Sequence, residues 1–251
     1  MRLGPNLHRI GNDIVAAYLV VTDQGITLID AGLAGHYREL THELAGLGRP
    51  LTDIRGLILT HGDSDHIGFA ERLRREHGVP VFIHGADAAR ARGEEKSKNA
   101  FGQFKVGAIA RFLWYASRKG GLRTTYLTEV SETKDGQVLD LPGAPRVIAL
   151  PGHSPGSIAI YSSVADAVFV GDALTTRHVL TGRPGPQPAP FTDDPTQALA
   201  SLARLADLNA TWVLPGHGPV WNSGIPEAIS RVRAAAEADG AGSQGRGDPS
   251  A

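Results

Sequence analysis

The stretch LTHGDSDHIG at residues 59–68 carries two histidines and two aspartates within six positions, from His61 to His66. It continues the apolar run GLIL, which is typical of a buried strand, so the polar cluster lies where that strand ends. In an extended loop, side chains two positions apart point the same way, which places His61 and Asp63 together. Asp65 and His66 lie at the start of the next predicted helix, where their side chains can reach a second metal position. The stretch is therefore either a solvated polar turn or a loop that serves two neighbouring metal ions.

Length and composition limit the class of protein. The 251 residues suffice for one large domain, or two small ones, with a sizeable core. The formal net charge of −1 gives no general indication of nucleic acid or an anionic membrane as a partner. The chain has no cysteine, which excludes disulfides and thiolate ligands. Any metal must therefore be held by His, Asp, Glu or backbone oxygen.

The first residues do not resemble an export signal. The apolar run from Ile14 to Val21 is short, follows Asp13, and lacks a basic n-region and a cleavage site of small residues. No apolar run approaches the roughly 20 residues that a membrane helix requires. We therefore expect a cytoplasmic protein.

Short apolar runs alternate with helical patterns along the chain. Strands are predicted at residues 14–21, 26–29, 56–60, 80–83, 138–141, 147–150, 157–161, 167–170 and 211–214. Helices are predicted at residues 36–46, 67–77, 195–208 and 225 to about 236. The Gly- and Ser-rich tail at residues 238–251 is expected to be disordered.

Three further predicted strands run into short loops that carry a ligand-type residue. These residues are His153 in PGHS, Asp172 in GD and His217 in PGHG. Functional sites gather in loops at strand ends, where a rigid scaffold holds them. If residues 61–66 were only a solvated turn, the ligand-type residues at the ends of these three other strands would have no explanation. The combination therefore favours a metal centre.

The order and context of these motifs resemble the metallo-β-lactamase superfamily. Its signature is H-x-H-x-D-H, followed by a later His, a bridging Asp and a final His. The resemblance covers roughly residues 5–235 and includes LIDAGL, in which Asp30 is expected to orient a ligand histidine. It implies an α+β fold, a four-layer αββα sandwich with a metal centre along one edge. We expect one domain over residues 1–237.

Carried over by position, the resemblance implies two divalent metal ions, with zinc as the first expectation and iron or manganese as alternatives. The ligands of one ion would be His61, Asp63 and His153. The ligands of the other would be Asp65, His66 and His217, and Asp172 would bridge the two.

Asp63 departs from the usual signature, which has histidine at that position. The iron-containing flavoproteins of the family place Glu there, so an acidic ligand is compatible with the fold. Two divalent ions, three aspartates and a bridging hydroxide would form a neutral cluster, whereas the all-histidine version carries one positive charge. A neutral centre should be a weaker Lewis acid, and carboxylate oxygen favours harder ions such as manganese or iron.

The resemblance also implies a metal-dependent hydrolase, in which hydroxide bound between two metals attacks an ester, thioester or lactone. Asp65 is expected to orient the hydroxide and move its proton. The alternatives are an iron-dependent oxidoreductase or dioxygenase, a phosphodiesterase, and a metal-stabilised binding scaffold. The expected partner is a small-molecule substrate, without nucleic acid or membrane, and the chain is expected to be a monomer or homodimer. His178 is a candidate for the mouth of the pocket.

The segment from Arg90 to Arg123 carries nine Lys and Arg residues against Glu94 and Glu95. Within it, an apolar stripe on a basic helix is predicted by Phe101, Phe104, Ala108, Phe112 and Tyr115. In related enzymes an insertion between the first ligand cluster and the next forms a cap over the metals. We therefore expect a helical cap at about residues 90–125. The alternative is that the stripe packs on the core or on a second subunit.

Overall fold

The computed structural model describes residues 1–96 and 104–244. Within these ranges, the strands of the first sheet are β1 (Arg2–Gly4), β2 (Leu7–Gly11), β3 (Ala16–Thr22), β4 (Gly25–Ile29), β5 (Ile54–Ile58), β6 (Val81–His84) and β7 (Ser131–Thr133). These strands lie side by side in the order of the sequence. Strands β1 to β4 pair antiparallel, and β4 to β7 pair in parallel.

The second sheet contains β8 (Arg146–Ala149), β9 (Ile158–Ser162), β10 (Ala167–Gly171) and β13 (Trp212–Pro215). Its spatial order is β13-β10-β9-β8. Strand β10 pairs antiparallel with β9 and in parallel with β13, so β10 and β13 end at the same edge. A separate hairpin consists of β11 (Thr175–Arg177) and β12 (Pro184–Gln187).

The helices are α1 (His36–Gly46), α2 (Ala70–His77), α3 (Ala88–Ala91), α4 (Val106–Arg118), α5 (Pro195–Ser201) and α6 (Ile225–Gln244). Helix α2 ends at Gly78, whose φ of 65° is the left-handed conformation that favours glycine. Helix α5 begins after Asp194, whose side chain accepts a hydrogen bond from Gln197 N. Across the described ranges, every helix is too short or too polar to cross a membrane.

Side chains of the central strands alternate between two faces and so build separate apolar layers. In β3, Leu19 belongs to the layer that also contains Leu40 of α1 and Leu73 of α2. The preceding residue, Tyr18, points to the other face of the sheet and joins the layer between the two sheets. The alternating direction of side chains along each strand therefore decides which residues meet the helices and which meet the second sheet.

The layer between the sheets contains Tyr18 from β3 and Phe169 from β10, whose ring centroids are 5.4 Å apart. In β10, Val168 faces the opposite way and packs with Ile225 and Val232 of α6. The layers therefore follow each other as helices, sheet, sheet and helices. This is the α+β arrangement, the αββα sandwich, that the sequence predicted.

Strand β2 was not recognisable in the sequence because it carries His8 and Arg9 next to each other. Both residues are buried in the structure. His8 Nδ1 lies 2.7 Å from Glu43 Oε1, and an Arg9 guanidinium nitrogen donates to Gly218 O at 2.9 Å. Polar groups tolerate burial when they are paired, and the hydrophobicity pattern of a sequence does not show such pairs.

Two predicted elements differ from the structure. In the segment at 138–141, Val138 makes only an isolated bridge with Arg146, so the predicted strand there is wrong. Proline, which limits sheet pairing, follows directly at residue 142. The helix predicted at 195–208 ends at Ser201 and continues as a short 3₁₀ helix, Leu202–Leu205.

Helix α6 continues to Gln244, so the tail expected to be disordered from residue 238 is helical up to that point. The Arg183 guanidinium donates to both carboxylate oxygens of Asp239, at 2.7 and 2.8 Å. This partly exposed ion pair links the helix to the turn between β11 and β12. Residues 245–251 lie outside the described residues.

Helix α4 lies within the segment predicted to form a cap. Tyr115 is buried beside Val15 and Leu33, and its hydroxyl lies 2.7 Å from His36 Nε2. Of the predicted stripe, Tyr115 therefore packs on the core and Phe104 is exposed, while Phe101 lies outside the described residues. The cap over the metals stays a prediction.

We expect Phe169→Ala to lower the free energy of unfolding by roughly 3–5 kcal/mol, because it leaves a cavity between the sheets. Urea denaturation measures this change. Val164→Ala, at an exposed position, is the control and should change stability by less than about 0.5 kcal/mol. Equal effects of the two substitutions would contradict the assignment of Phe169 to the central layer.

Candidate metal centre

The ligand-type side chains lie in loops that follow β5, β8, β10 and β13. Because β10 and β13 are parallel neighbours, the loops that carry Asp172 and His217 leave the sheet at the same edge. The loop after β5 belongs to the other sheet. It is joined to this edge by a backbone hydrogen bond of 2.9 Å from Ile158 N to Thr60 O. The fold thus brings loops from both sheets to one place.

Gly216 allows these loops to approach closely. A Cβ atom at this position would lie 2.4 Å from His66 Cε1 and 2.6 Å from Asp172 Oδ1. Neither neighbour can give way without leaving the cluster. Glycine before His217 is therefore required by the space that the other donor groups occupy.

All seven residues predicted from the sequence as ligands come together. Three groups of donor atoms, each within 4.8 Å of one another, could hold a metal ion. Two of these groups are the predicted ligand sets: His61, Asp63 and His153 form one, and Asp65, His66 and His217 form the other. The third group is His61, His66 and Asp172. An Asp172 carboxylate oxygen also lies 3.2 Å from His217 Nε2.

Four buried atoms of this cluster make no hydrogen bond: Asp172 Oδ1 and the Nε2 atoms of His61, His66 and His153. Buried polar atoms are nearly always satisfied, so such a concentration requires an explanation. Imidazole nitrogen and carboxylate oxygen are common donors for divalent cations. The residues therefore fit metal ions, which would accept electron pairs from these atoms.

The opposite nitrogen of each histidine is held from behind. Nδ1 of His66 contacts Asp30 Oδ2 at 2.9 Å, and Nδ1 of His61 contacts Thr60 Oγ1 at 3.1 Å. Nδ1 of His153 lies 3.3 Å from Thr192 Oγ1. Such contacts fix the ring orientation and leave Nε2 directed into the cluster. Nδ1 of His217 is held in the same way by a backbone oxygen, that of residue 14.

Asp30 fixes the loop after β5 as well as His66. It accepts hydrogen bonds from Thr60 N at 2.7 Å and from Thr60 Oγ1 at 2.8 Å. Its backbone has a φ of 59°, a left-handed conformation that is uncommon outside glycine. The strain is supported by these buried contacts. Asp30 therefore orients His66, as the sequence suggested.

Asp87 was missed by the sequence analysis, although it is fully buried beside the cluster. Its carboxylate accepts hydrogen bonds from Gly62 N at 2.8 Å, Gly156 N at 2.7 Å and Ser154 Oγ at 2.7 Å. It thus ties the loop of His61 to the loop of His153. No motif marks this residue, because its partners are distant in sequence.

Arg90 was also missed as a site residue, since the sequence analysis counted it among the charges of the cap. Its side chain is only 7% exposed. One guanidinium nitrogen lies 3.3 Å from Asp63 Oδ1, and the other lies 2.5 Å from Asp193 Oδ2. The Asp63 carboxylate is therefore shared between the cluster and a buried cation.

The carboxylates of the cluster stabilise positive charge beside them, although burial and the neighbouring His66 hold the pKa of His61 well below its usual range. Burial opposes protonation of His217, but the carboxylates of Asp172 and Asp65 outweigh it and raise its pKa to about 9. Burial likewise disfavours the charged form of Asp172, yet His217 and His66 hold the pKa of its carboxyl well below the usual range. Carboxylates that remain ionised while buried attract a cation.

A cavity of about 850 Å³ lies beside the loops of the cluster, and none of the seven donor residues lines it. Its wall includes Ala173, which follows Asp172 in the chain, and Thr192, the hydroxyl partner of His153. His178 also lines this cavity, and its place at the mouth of a substrate pocket stays a prediction.

The family profile described as the metallo-beta-lactamase superfamily matches residues 10–217. Among curated relatives, the probable metallo-hydrolase YflN of Bacillus subtilis (strain 168) is 32% identical over 200 residues, which cover 76% of this chain and 74% of YflN. The hydroxyacylglutathione hydrolase GloC of Haemophilus influenzae is 25% identical over 169 residues, with coverage of 66% and 69%.

The solved structures include TTHA1623 in a di-iron-bound form. This protein is 29% identical to the chain and superposes with a TM-score of 0.59, covering 90% of the chain and 96% of TTHA1623. The two proteins therefore share a fold over nearly their whole lengths.

We expect Asp87→Ala to lower the free energy of unfolding by roughly 3 kcal/mol, because three buried donors lose a charged acceptor. It should also weaken metal binding, since the loops of His61 and His153 lose their link. Urea denaturation and a competition titration with a chromophoric zinc chelator measure the two effects. Asp140→Ala, at an exposed position, is the control. Unchanged metal affinity in Asp87→Ala would contradict this role.

Proposed function

The chain belongs to the metallo-β-lactamase superfamily of metallo-hydrolases, and from this premise we propose that it hydrolyses an ester, thioester or lactone at a centre of two divalent ions. The observation that carries the proposal is the set of seven converging donors with four buried atoms that lack a hydrogen bond. A scaffold that only bound metal for stability would not require an accessible carboxylate. Asp63 and Asp65 keep 17% and 20% of their side chains exposed.

We assign the donors as the resemblance implied. His61, Asp63 and His153 would hold one ion, Asp65, His66 and His217 the other, and Asp172 would lie between them. Bound at these residues, the ions would supply a Lewis acid for the substrate carbonyl and would acidify a water molecule. Zinc suits the four imidazoles, whereas the three carboxylates suit manganese or iron. The di-iron form of TTHA1623 supports iron as an alternative.

Asp65 would take the proton from the attacking water. It has the most exposed carboxylate of the cluster, and one oxygen lies 3.4 Å from His217 Nε2. A general base must reach the attacking water, and this partly exposed carboxylate can do so. The proton would then pass to the leaving alcohol or thiol. His66, fixed by Asp30, and His153, fixed by Thr192, would keep their donor atoms in place during this transfer.

An acyl substrate fits this site better than a phosphodiester. The cavity beside the cluster is lined mainly by apolar side chains, and of its two cationic residues, Lys105 and Arg183, the second is paired with Asp239. Phosphate recognition requires several cationic or N–H donors. GloC, by its name, acts on an acyl derivative of glutathione, and this relative supports a thioester. We further propose that the protein acts in the cytoplasm on a small molecule, as a monomer or homodimer.

A second candidate function is iron-dependent oxidation. The carboxylate at Asp63 and the di-iron form of TTHA1623 favour it. Metal analysis of protein purified without added metal separates the two candidates. Hydrolysis restored by zinc after chelation supports the hydrolase, whereas oxygen consumption that requires iron supports the oxidoreductase.

We expect about two metal ions per chain when zinc is plentiful, and hydrolysis of acyl esters that a chelator abolishes. Asp65→Asn should lower kcat by about 10²–10⁴-fold even when enough zinc is supplied to fill the site that it weakens, because the amide cannot accept the proton. Elemental analysis and steady-state kinetics measure both quantities. Asp140→Asn is the exposed control. One ion per chain, with His217→Ala leaving metal content unchanged, would contradict the two-metal assignment.

A further inference from the structure

We propose that the 850 Å³ cavity binds an apolar acyl chain, so that the preferred substrates are esters or thioesters of medium- and long-chain acids. This inference rests on the proposed hydrolase function and adds the substrate class. The cavity lies beside the loops of the cluster, although none of the seven donor residues lines it. Its wall includes Ala173, which follows Asp172 in the chain, and Thr192, whose hydroxyl contacts Nδ1 of His153 on the side away from the other donors.

The lining matches a hydrocarbon chain. Leu180, Ala189, Phe191 and Leu199 contribute apolar side chains. The charged residues of the lining are Lys105, Arg183 and Asp239, and the His178 imidazole also lies in the wall. Arg183 and Asp239 neutralise each other through two hydrogen bonds of 2.7 and 2.8 Å, so the charge of Lys105 remains. A ligand in the cavity therefore meets mainly apolar surface, and its burial is favoured by the hydrophobic effect.

The size and rigidity of the cavity also fit this class. A volume of about 850 Å³ is much larger than an acetyl group needs and lies within the usual range of ligand pockets. The wall segment at residues 188–192 leads into two backbone hydrogen bonds, from Asp193 N to His153 O at 3.1 Å and from Asp194 N to Gly152 O at 2.8 Å. Because this wall is already ordered, it loses little conformational entropy when a chain binds.

The test compares p-nitrophenyl esters from acetyl to decanoyl with the metal-loaded enzyme. We expect kcat/KM to rise roughly fourfold for each added methylene until the cavity is full. Ala236→Trp places a large ring at the cavity wall from α6. It should raise KM for the decanoyl ester about tenfold or more and change the acetyl ester less than about twofold. The matched control is Ala234→Trp, at an exposed position of the same helix.

Decanoate binding, measured by calorimetry, gives a readout that does not depend on hydrolysis. Binding that Ala236→Trp abolishes supports the acyl site even if no ester is hydrolysed, and in that case the proposed function alone fails. Hydrolysis without chain-length preference, together with no decanoate binding, overturns the acyl site and leaves the hydrolase intact.

A different observation carries a second inference, which also rests on the proposed ligands. We infer that Arg90 makes Asp63 a one-atom donor that can replace the usual histidine. Asp63 Oδ2 lies 3.4 Å from His153 Nε2 and 3.7 Å from His61 Nε2, so this oxygen faces the cluster. The other oxygen, Oδ1, faces Arg90 at 3.3 Å.

This arrangement changes the charge expected for the centre. The neutral charge that the sequence predicts for the metal cluster does not include Arg90. This residue lies against the extra carboxylate and offsets part of its charge. Arg90 also contacts Asp193, so its charge is divided between two carboxylates. Asp63→His should then not restore the common site, because a buried guanidinium would face an imidazole and a metal ion without its carboxylate.

A double-mutant cycle in metal affinity tests the coupling. Asp63→His and Arg90→Gln should each weaken zinc binding by about tenfold, whereas the double variant should recover to within about threefold of the parent. Arg90→Lys keeps the charge and should not rescue Asp63→His. Arg75→Gln, at an exposed position, is the control. A competition titration measures affinity, and thermal unfolding verifies that each variant folds.

The outcomes separate this inference from the ligand assignment. Unchanged zinc affinity in Asp63→Ala would overturn Asp63 as a ligand, and with it the proposed centre. A weakened Asp63→Ala with strictly additive effects of Asp63→His and Arg90→Gln would overturn only the role of Arg90. Rescue in the double variant, without rescue by Arg90→Lys, supports the inference.

Discussion

The two sheets are joined at one edge by backbone hydrogen bonds, and the position of every donor side chain depends on this join. Ile158 N donates to Thr60 O at 2.9 Å, and Ala16 N donates to Gly216 O at 2.9 Å. Both bonds lie directly beside a donor loop. Backbone groups at such a junction must find partners, since burial without a hydrogen bond is costly. Satisfying them fixes the distance between loops that belong to different sheets.

The site could be predicted from the sequence because its donors obey a local rule. His61, His153, Asp172 and His217 each follow an apolar strand within a few residues, and strand ends of a layered fold meet at an edge. Asp87 and Arg90 follow no such rule. They act through contacts with residues far along the chain, and only the folded structure shows which carboxylate meets which amide or guanidinium.

The strands could be predicted where the sequence is a short apolar run, as in β3 and β10, which are buried along most of their length on both faces. They could not be predicted where paired polar residues are buried, as in β2, and the Gly- and Ser-rich end of α6 carries no helical pattern. The segment at 90–125 shows both situations. Its helix was visible as an apolar stripe, but the contact of Tyr115 with His36 was not. Local patterns thus indicate elements, and long-range polar pairs decide their limits.

The cavity wall is encoded mainly by one continuous part of the chain, from Ala173 to Leu199, between Asp172 and His217. The metal-donor residues and the two sheets lie outside this part. Within this part, Thr192 and Asp193 contact His153 and Arg90, so the wall and the donor set are joined through these two residues. Exchanges that keep them can reshape the space beside the centre without changing the strand pairs that hold the donors. Under the proposed function, a new specificity could therefore arise within a single segment of the chain.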